Sequence, residues 1–197
     1  LRERYHKPSF VLTRGEEGVK GSGRSIESYS MYEKLCECKE YLTKFGGHPM
    51  AAGLSLEEEN VERFRRKLNE QSGLTEEDLV EKVTIDVPMP IHYIRKDLVQ
   101  ELSLLEPFGK GNEKPLFAQK NLWISQMRVF GKNRNVVKMR LTDENGYPMD
   151  GVYFGNGDEF AEEGRGKRKI SIVYYPDINM YQGRESLQVI IRHYQFD

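Results

Sequence analysis

The sequence predicts an α+β chain in two parts, a small α/β unit built around a GGH motif and then an OB-fold β-barrel. Three observations carry this reading. Residues 1–75 alternate short apolar runs with two stretches of helical period. A turn-rich stretch, EPFGKGNEKPLF, interrupts the chain over 106–117. From residue 118 onward, period-two alternation dominates, broken by one short helical segment.

Taken in order, 9–13 is a strand after Pro8, and 14–18 is turn material. The segment 19–26, VKGSGRSI, returns as the second strand of a hairpin. Ser30 and Glu33 form a capping box, opening a helix with Met31, Leu35, Cys38 and Leu42 on one face. That helix is expected to end near Phe45, at the glycine pair. GGHPMAAG, 46–53, reads as a loop ahead of an apolar strand. A helix over 57–71 follows, with Val61, Phe64 and Leu68 inward and Ser72-Gly73 as its stop. The first domain, 1–75, is therefore β–β–α–β–α.

Residues 76–117 read as a connecting strand and helix with a Pro/Gly-rich linker. Its strand is 83–87, and its helix is 95–106 with Leu98, Leu102 and Leu105 inward, ended by Pro107. In 118–197 the expected strands are 122–130, 135–142 and 148–154, then a helix near 158–163, then strands 169–175 and 186–194. Three strands, a helix and two strands is the OB-fold order. NMYQG, 179–183, is the turn expected to present Tyr181 outward.

The 197 residues carry 30 basic and 31 acidic side chains, so any surface for nucleic acid has to be local. No apolar run approaches the ~20 residues that span a bilayer, so no membrane partner is expected. Cys36 and Cys38 are two apart on a helix and point to different faces. Reduced thiols and a cytoplasmic location are the expectation. The abrupt opening, LRERYHKP running into a strand, reads as a piece of something longer.

Two stretches carry chemistry in the first domain. In GSGRS, 21–25, glycines flank a hydroxyl and a guanidinium, the group best shaped to grip a phosphate. In GGHPMAAG, paired glycines let the backbone approach a ligand while His48 presents an imidazole. Ser22, Arg24, Ser25, Gly46, Gly47 and His48 are thus the candidate phosphate-binding residues. No HExxH, CxxC or Ser/His/Asp pattern occurs, and His6, His92 and His193 lack ligand spacing, so no metal site is expected. In the barrel, Arg128, Phe130, Lys132, Arg134, Lys138 and Arg140, with Tyr181, are the candidate single-strand surface. Cations there would neutralise phosphates while aromatics stack bases.

KGSGRSI, FGGHPMAAGLS, EPFGKGNEKPLF and INMYQGRESLQVIIR together resemble the C-terminal half of the RecJ family, nucleases that degrade single-stranded DNA from its 5′ end. The resemblance runs in family order over nearly the whole chain. GGHxxAAG alone is less specific, being shared with DHH-family phosphodiesterases for oligonucleotides or cyclic dinucleotides. The resemblance implies a cytoplasmic enzyme of DNA repair and recombination, in which an N-terminal DHH domain holds Mn²⁺ or Mg²⁺. It implies that Ser22 and Arg24 contact phosphates near the 5′ end, that His48 sits by the scissile group, and that the OB domain guides the strand. The DHH motif is absent here, so this chain is expected to bind no metal, to hold no catalytic residue and to be inactive alone. Its expected partners are single-stranded DNA and that DHH domain. A stand-alone single-strand-binding module, or part of a small-nucleotide phosphodiesterase, are the alternatives.

Overall fold

The computed structural model describes residues 2–16, 18–109 and 111–197. Leu1, Glu17 of the first expected turn and Lys110 of the 106–117 stretch lie outside the described residues. The chain divides into two compact units, Leu1–Val83 and Thr84–Asp197.

The first unit opens with a short helix, α1 (Arg2–Tyr5), and a hairpin, β1 (Ser9–Gly15) and β2 (Gly18–Arg24). Helix α2 (Met31–Glu37) starts at Ser30, whose hydroxyl accepts the Glu33 N–H, and a 3₁₀ turn at Lys39–Tyr41 follows it. The expected helix up to Phe45 is therefore too long. Lys44–His48 is instead a strand, β3, paired with β4 (Ala51–Leu56). GGHPMAAG is thus a tight β-hairpin rather than a loop, and the order becomes β–β–α–β–β–α with α3 at Val61–Glu70. The antiparallel sheet runs β1-β2-β4-β3. Val19, Leu54, Leu56, Ala52, Met31, Leu35 and Phe64 form its core, between the helices and one sheet face. Phe10 closes that core edge-on to Phe64, ring centroids 5.8 Å apart.

Both cysteines are free, as expected. Cys38 lies in the core, where burial and then the charge of Glu40 push its thiol up to about 11, so it stays protonated and inert.

The second unit is the expected OB barrel. Its strands are β5 (Val87–Pro88), β6 (Phe117–Phe130), β7 (Val136–Thr142), β8 (Pro148–Phe154), β9 (Lys169–Tyr181) and β10 (Arg184–Phe196), with α4 (Lys96–Ser103) and α5 (Gly157–Glu163). The sheet order is β5-β6-β7-β8-β10-β9, and β6 pairs back onto β9 to close the barrel. The last two strands are longer than the sequence suggested, because they continue past the barrel as a two-stranded ribbon to Tyr181 and Arg184. The turn is confined to Gln182 and Gly183, both with positive φ, as a type I′ connection demands.

The segment expected to connect the domains belongs largely to the barrel. Ile91 and Ile94 are fully buried in its core. Tyr174 donates its hydroxyl to the Met89 carbonyl at 2.6 Å, and the Ile91 N–H reaches Gln119 Oε1 at 2.6 Å. Of the expected strand 83–87 only Val87 lies in a strand, β5, where it pairs with Phe117. Helix α4 turns Val99 and Leu102 inward; it ends at Ser103, so Leu105 falls beyond it and is exposed.

Asp143 fixes the β7–β8 turn from inside. Its Oδ1 accepts the Asn145 and Tyr147 N–H groups, and its Oδ2 meets His92 Nδ1 at 2.8 Å. Burial alone would raise this carboxyl. The Tyr147 N–H, His92 and the Asn145 N–H outweigh burial and hold it below the usual carboxylate range. Its stabilising contribution is complete above the unfolded-chain pKa of about 3.9 and is lost as pH falls through the lower folded value. Asp143→Asn keeps one acceptor oxygen for the two N–H groups. It should shallow the fall of the urea midpoint on acidification below about pH 4. An equally steep fall in the variant would show that Asp143 does not carry this dependence.

Candidate nucleic-acid interface

In the first unit, strand alternation separates a packed face from an open one. Inward positions hold Val19, Gly21, Gly23, Phe45, Gly47, Ala52, Leu54 and Leu56. Outward positions align in rows across the sheet. One row is Ser9, Arg24, Ala51 and His48; the next is Val11, Ser22, Gly53 and Gly46; the third is Thr13, Lys20, Ser55 and Lys44. The pairing thus brings Ser22, Arg24, Gly46 and His48 onto one surface, with a floor of glycine and alanine between them.

Local contacts hold these side chains in place. Arg24 Nη1 donates to Ser22 Oγ at 3.1 Å and to the Gly23 carbonyl at 2.9 Å. No carboxylate pairs with Arg24 among the described residues, so its remaining N–H groups face outward. His48 Nδ1 accepts the Met50 N–H at 3.3 Å, which puts the proton of a neutral imidazole on Nε2, free to donate. The hairpin tip carrying His48 is itself tied down. Ser25 N–H bonds the Met50 carbonyl and Met31 N–H bonds the Pro49 carbonyl, each at 2.9 Å.

The glycines divide by face. A Cβ on Gly46 would meet nothing within 4 Å, and on Gly53 only the Gly21 carbonyl oxygen at 3.8 Å. Among the described residues, nothing requires these two to be small. Inward, a Cβ on Gly23 would strike Met31 Sδ and the Phe10 ring, and one on Gly47 the backbone of Ala51 and Ala52. Gly21 and Gly23 therefore serve packing in a regular strand, not backbone freedom around Arg24. Gly47 is exposed, and the room a side chain would need there is taken by Ala51 and Ala52 of the paired strand. Ser25 is also corrected: it is buried, and its hydroxyl donates to the Tyr29 carbonyl. Lys44 joins the outward set. It was hidden because the glycine pair masked the strand that carries it.

In the second unit, Gln126, Arg128, Phe130, Lys138, Arg140, Asp150, Asn179, Ser186 and Gln188 line an open groove of about 530 Å³. Its rows are chemically distinct. Phe130, Val136 and Phe154 are opposite one another, then Arg128, Lys138 and Val152, then Gln126, Arg140 and Asp150. The five cations picked from the sequence do not act alike. Arg140 pairs with Asp150 at 2.6 Å, and Arg134 with Asp158 at 2.6 Å. Arg128, Lys132 and Lys138 take part in no ion pair among the described residues. Tyr181 stands outside the groove, on the ribbon face shared with Asn179, and is 67% exposed. Tyr153 and Tyr174 are core residues. Phe154, 60% exposed, stands opposite Val136, a place set by strand register, which composition does not show.

Comparison with known proteins follows these boundaries. A family model described as the RecJ OB domain matches residues 85–193, and one described as the DHHA1 domain matches residues 1–73. The chain is 38% identical over 198 residues to the single-stranded-DNA-specific exonuclease RecJ of Bacillus subtilis (strain 168), covering 98% of this chain and 25% of that protein. Its identity to the protein of the same description in Escherichia coli (strain K12) is 33% over 199 residues, covering 97% and 34% respectively. The crystal structure of RecJ in complex with Mn²⁺ from Thermus thermophilus superposes with a TM-score of 0.80 at 24% identity, covering 98% of this chain and 27% of that one. The chain spans a quarter to a third of the length of these curated relatives.

Proposed function

We infer what this chain does from one premise: it belongs to the RecJ family, whose OB and DHHA1 domains match it over nearly its whole length. It is the substrate-binding portion of a single-stranded-DNA-specific 5′→3′ exonuclease of DNA repair and recombination. Hydrolysis of the phosphodiester bond belongs to a DHH domain elsewhere in the longer polypeptide. The observation that carries this reading is the open sheet face of the first unit. There a hydroxyl, a guanidinium and an imidazole N–H stand around two glycines, Gly46 and Gly53, that no contact among the described residues requires.

The chemistry of that face suits a phosphodiester. Arg24 offers a planar fork of donors to two non-bridging oxygens, and Ser22, bonded to the same guanidinium, fixes its orientation. His48 donates from Nε2 two strands away in the same row. Gly46 and Gly53 let the sugar-phosphate backbone come down onto the sheet between them. Mn²⁺ or Mg²⁺, supplied by the complete enzyme, would activate the attacking water. Among the described residues no group of three or more His, Cys, Asp or Glu side chains could hold such an ion. This chain's part is to bind and orient.

Single-stranded DNA is also the ligand proposed for the barrel groove. No helix among the described residues is long and apolar enough to cross a membrane. Arg24→Ala tests the reading at its centre. Loss of a charge-assisted phosphate contact should weaken binding of a 5′-phosphorylated oligothymidylate by about 1.5–3 kcal/mol, with the melting midpoint nearly unchanged. Unaltered affinity in a folded variant, measured by fluorescence anisotropy, would refute it.

A further inference from the structure

We propose that Phe130 and Phe154 form a clamp that takes one nucleobase of a single strand between two aromatic faces at the end of the barrel groove. This rests on reading the groove as a guide for single-stranded DNA and adds a defined base subsite to it.

Phe130 ends β6, Phe154 ends β8, and both are opposite Val136, the first residue of β7 between them. They are 45% and 60% exposed, while their sequence neighbours Val129 and Tyr153 pack against the core. The two rings are therefore not needed to fill the barrel. Two strand spacings separate their backbones by about 9.6 Å. Aromatic pairs, offset-stacked or edge-to-face, have centroids roughly 4.5–7 Å apart, so a base in contact with both rings fits where their centroids are about 9–14 Å apart. The spacing admits one base and is too narrow for two.

The row alongside fits the rest of a nucleotide. Two residues along the strands, roughly 6.7 Å away, stand Arg128 and Lys138, opposite one another and without carboxylate partners among the described residues. A base lodged between the phenylalanines places its phosphate over this pair. Lys138 Nζ lies 5.9 Å from the Phe130 ring centroid, so one cation serves both the stacked and the charged end. Exposed aromatics elsewhere lack this arrangement. Trp123 is already covered by Lys169 Nζ at 4.5 Å, and Tyr93 packs against its neighbour His92. Because every base has a π face, the clamp takes any base. It excludes duplex, whose bases are already stacked.

The test uses the full chain and a single strand with 2-aminopurine at one position, titrated into wild type, Phe130→Ala, Phe154→Ala, the double variant and Phe154→Trp. The fluorophore should be quenched on binding wild type and Phe154→Trp. Each alanine variant should lose quenching and bind about tenfold more weakly, with the melting midpoint unchanged. The double variant should lose much less than the product of the two single losses, since a sandwich needs both faces. If wild type binds in a salt-dependent way and both alanine variants stay within twofold of it, the clamp is wrong and the strand guide stands. If wild type binds no single strand at all, both fall.

Discussion

Gly47→Ala should destabilise the first unit by about 3 kcal/mol or more, while Gly46→Ala, one residue away, should fold like wild type. A Cβ on Gly47 would stand 2.5 Å from Ala52 Cα and as close to the Ala51 carbonyl, both backbone that cannot swing aside. Its φ of 153° adds strain for any other residue. At Gly46 there is open space, so the melting midpoint should barely move. Binding should divide the other way. Gly46→Ala should weaken the hold on a 5′-phosphorylated single strand, because its methyl rises beside Gly53 on the open floor across from Ser22. Chemical denaturation and an anisotropy titration on each variant measure the two effects. A Gly46→Ala chain that is stable and binds as tightly as wild type would exclude this face as the phosphate site.

Replacing Arg128, Lys132 and Lys138 together by glutamine should remove most of the salt dependence of single-strand binding. Each phosphate contact contributes about −0.7 to the slope of log affinity against log salt. Three contacts give a slope near −2, or roughly a twentyfold loss of affinity between 50 and 200 mM salt. Replacing Arg134 and Arg140 should leave the slope nearly as it was. Their charges already face Asp158 and Asp150, and removing them exposes those carboxylates instead. A slope unchanged in the triple variant would rule out the groove as the path of the strand.

These expectations differ from what the sequence alone suggests, and the reasons are physical. Period-two alternation bounded by turn formers was enough to read the barrel strands and their order. It could not reveal that Arg134 pairs with Asp158, or Arg140 with Asp150, because register brings those partners together. The motif around His48 was legible as a site but not as a strand. Two adjacent glycines carry no side-chain pattern, so in sequence β3 reads as the end of a helix and a loop. Gly21 and Gly23 look alike in sequence to Gly46 and Gly53. Only the face each occupies distinguishes glycines kept small by the core from glycines that leave room outside. Ile91 and Ile94 read as part of a connection since their partners, among them Tyr174, lie far along the chain.

That distance has a bearing on how the protein is made. Tyr174 leaves the ribosome about 80 residues after Ile94, which at 5–20 residues per second is a wait of roughly 4–16 s. Through that interval Met89, Ile91, Ile94, Val99 and Leu102 have no barrel to enter. The first unit, whose sheet and helices are complete by Glu70, has all its own partners in hand before the wait begins. Synthesis therefore passes through a stage in which a finished first unit is followed by an uncovered apolar segment, vulnerable to proteases and to association with other nascent chains until β9 arrives to close over it.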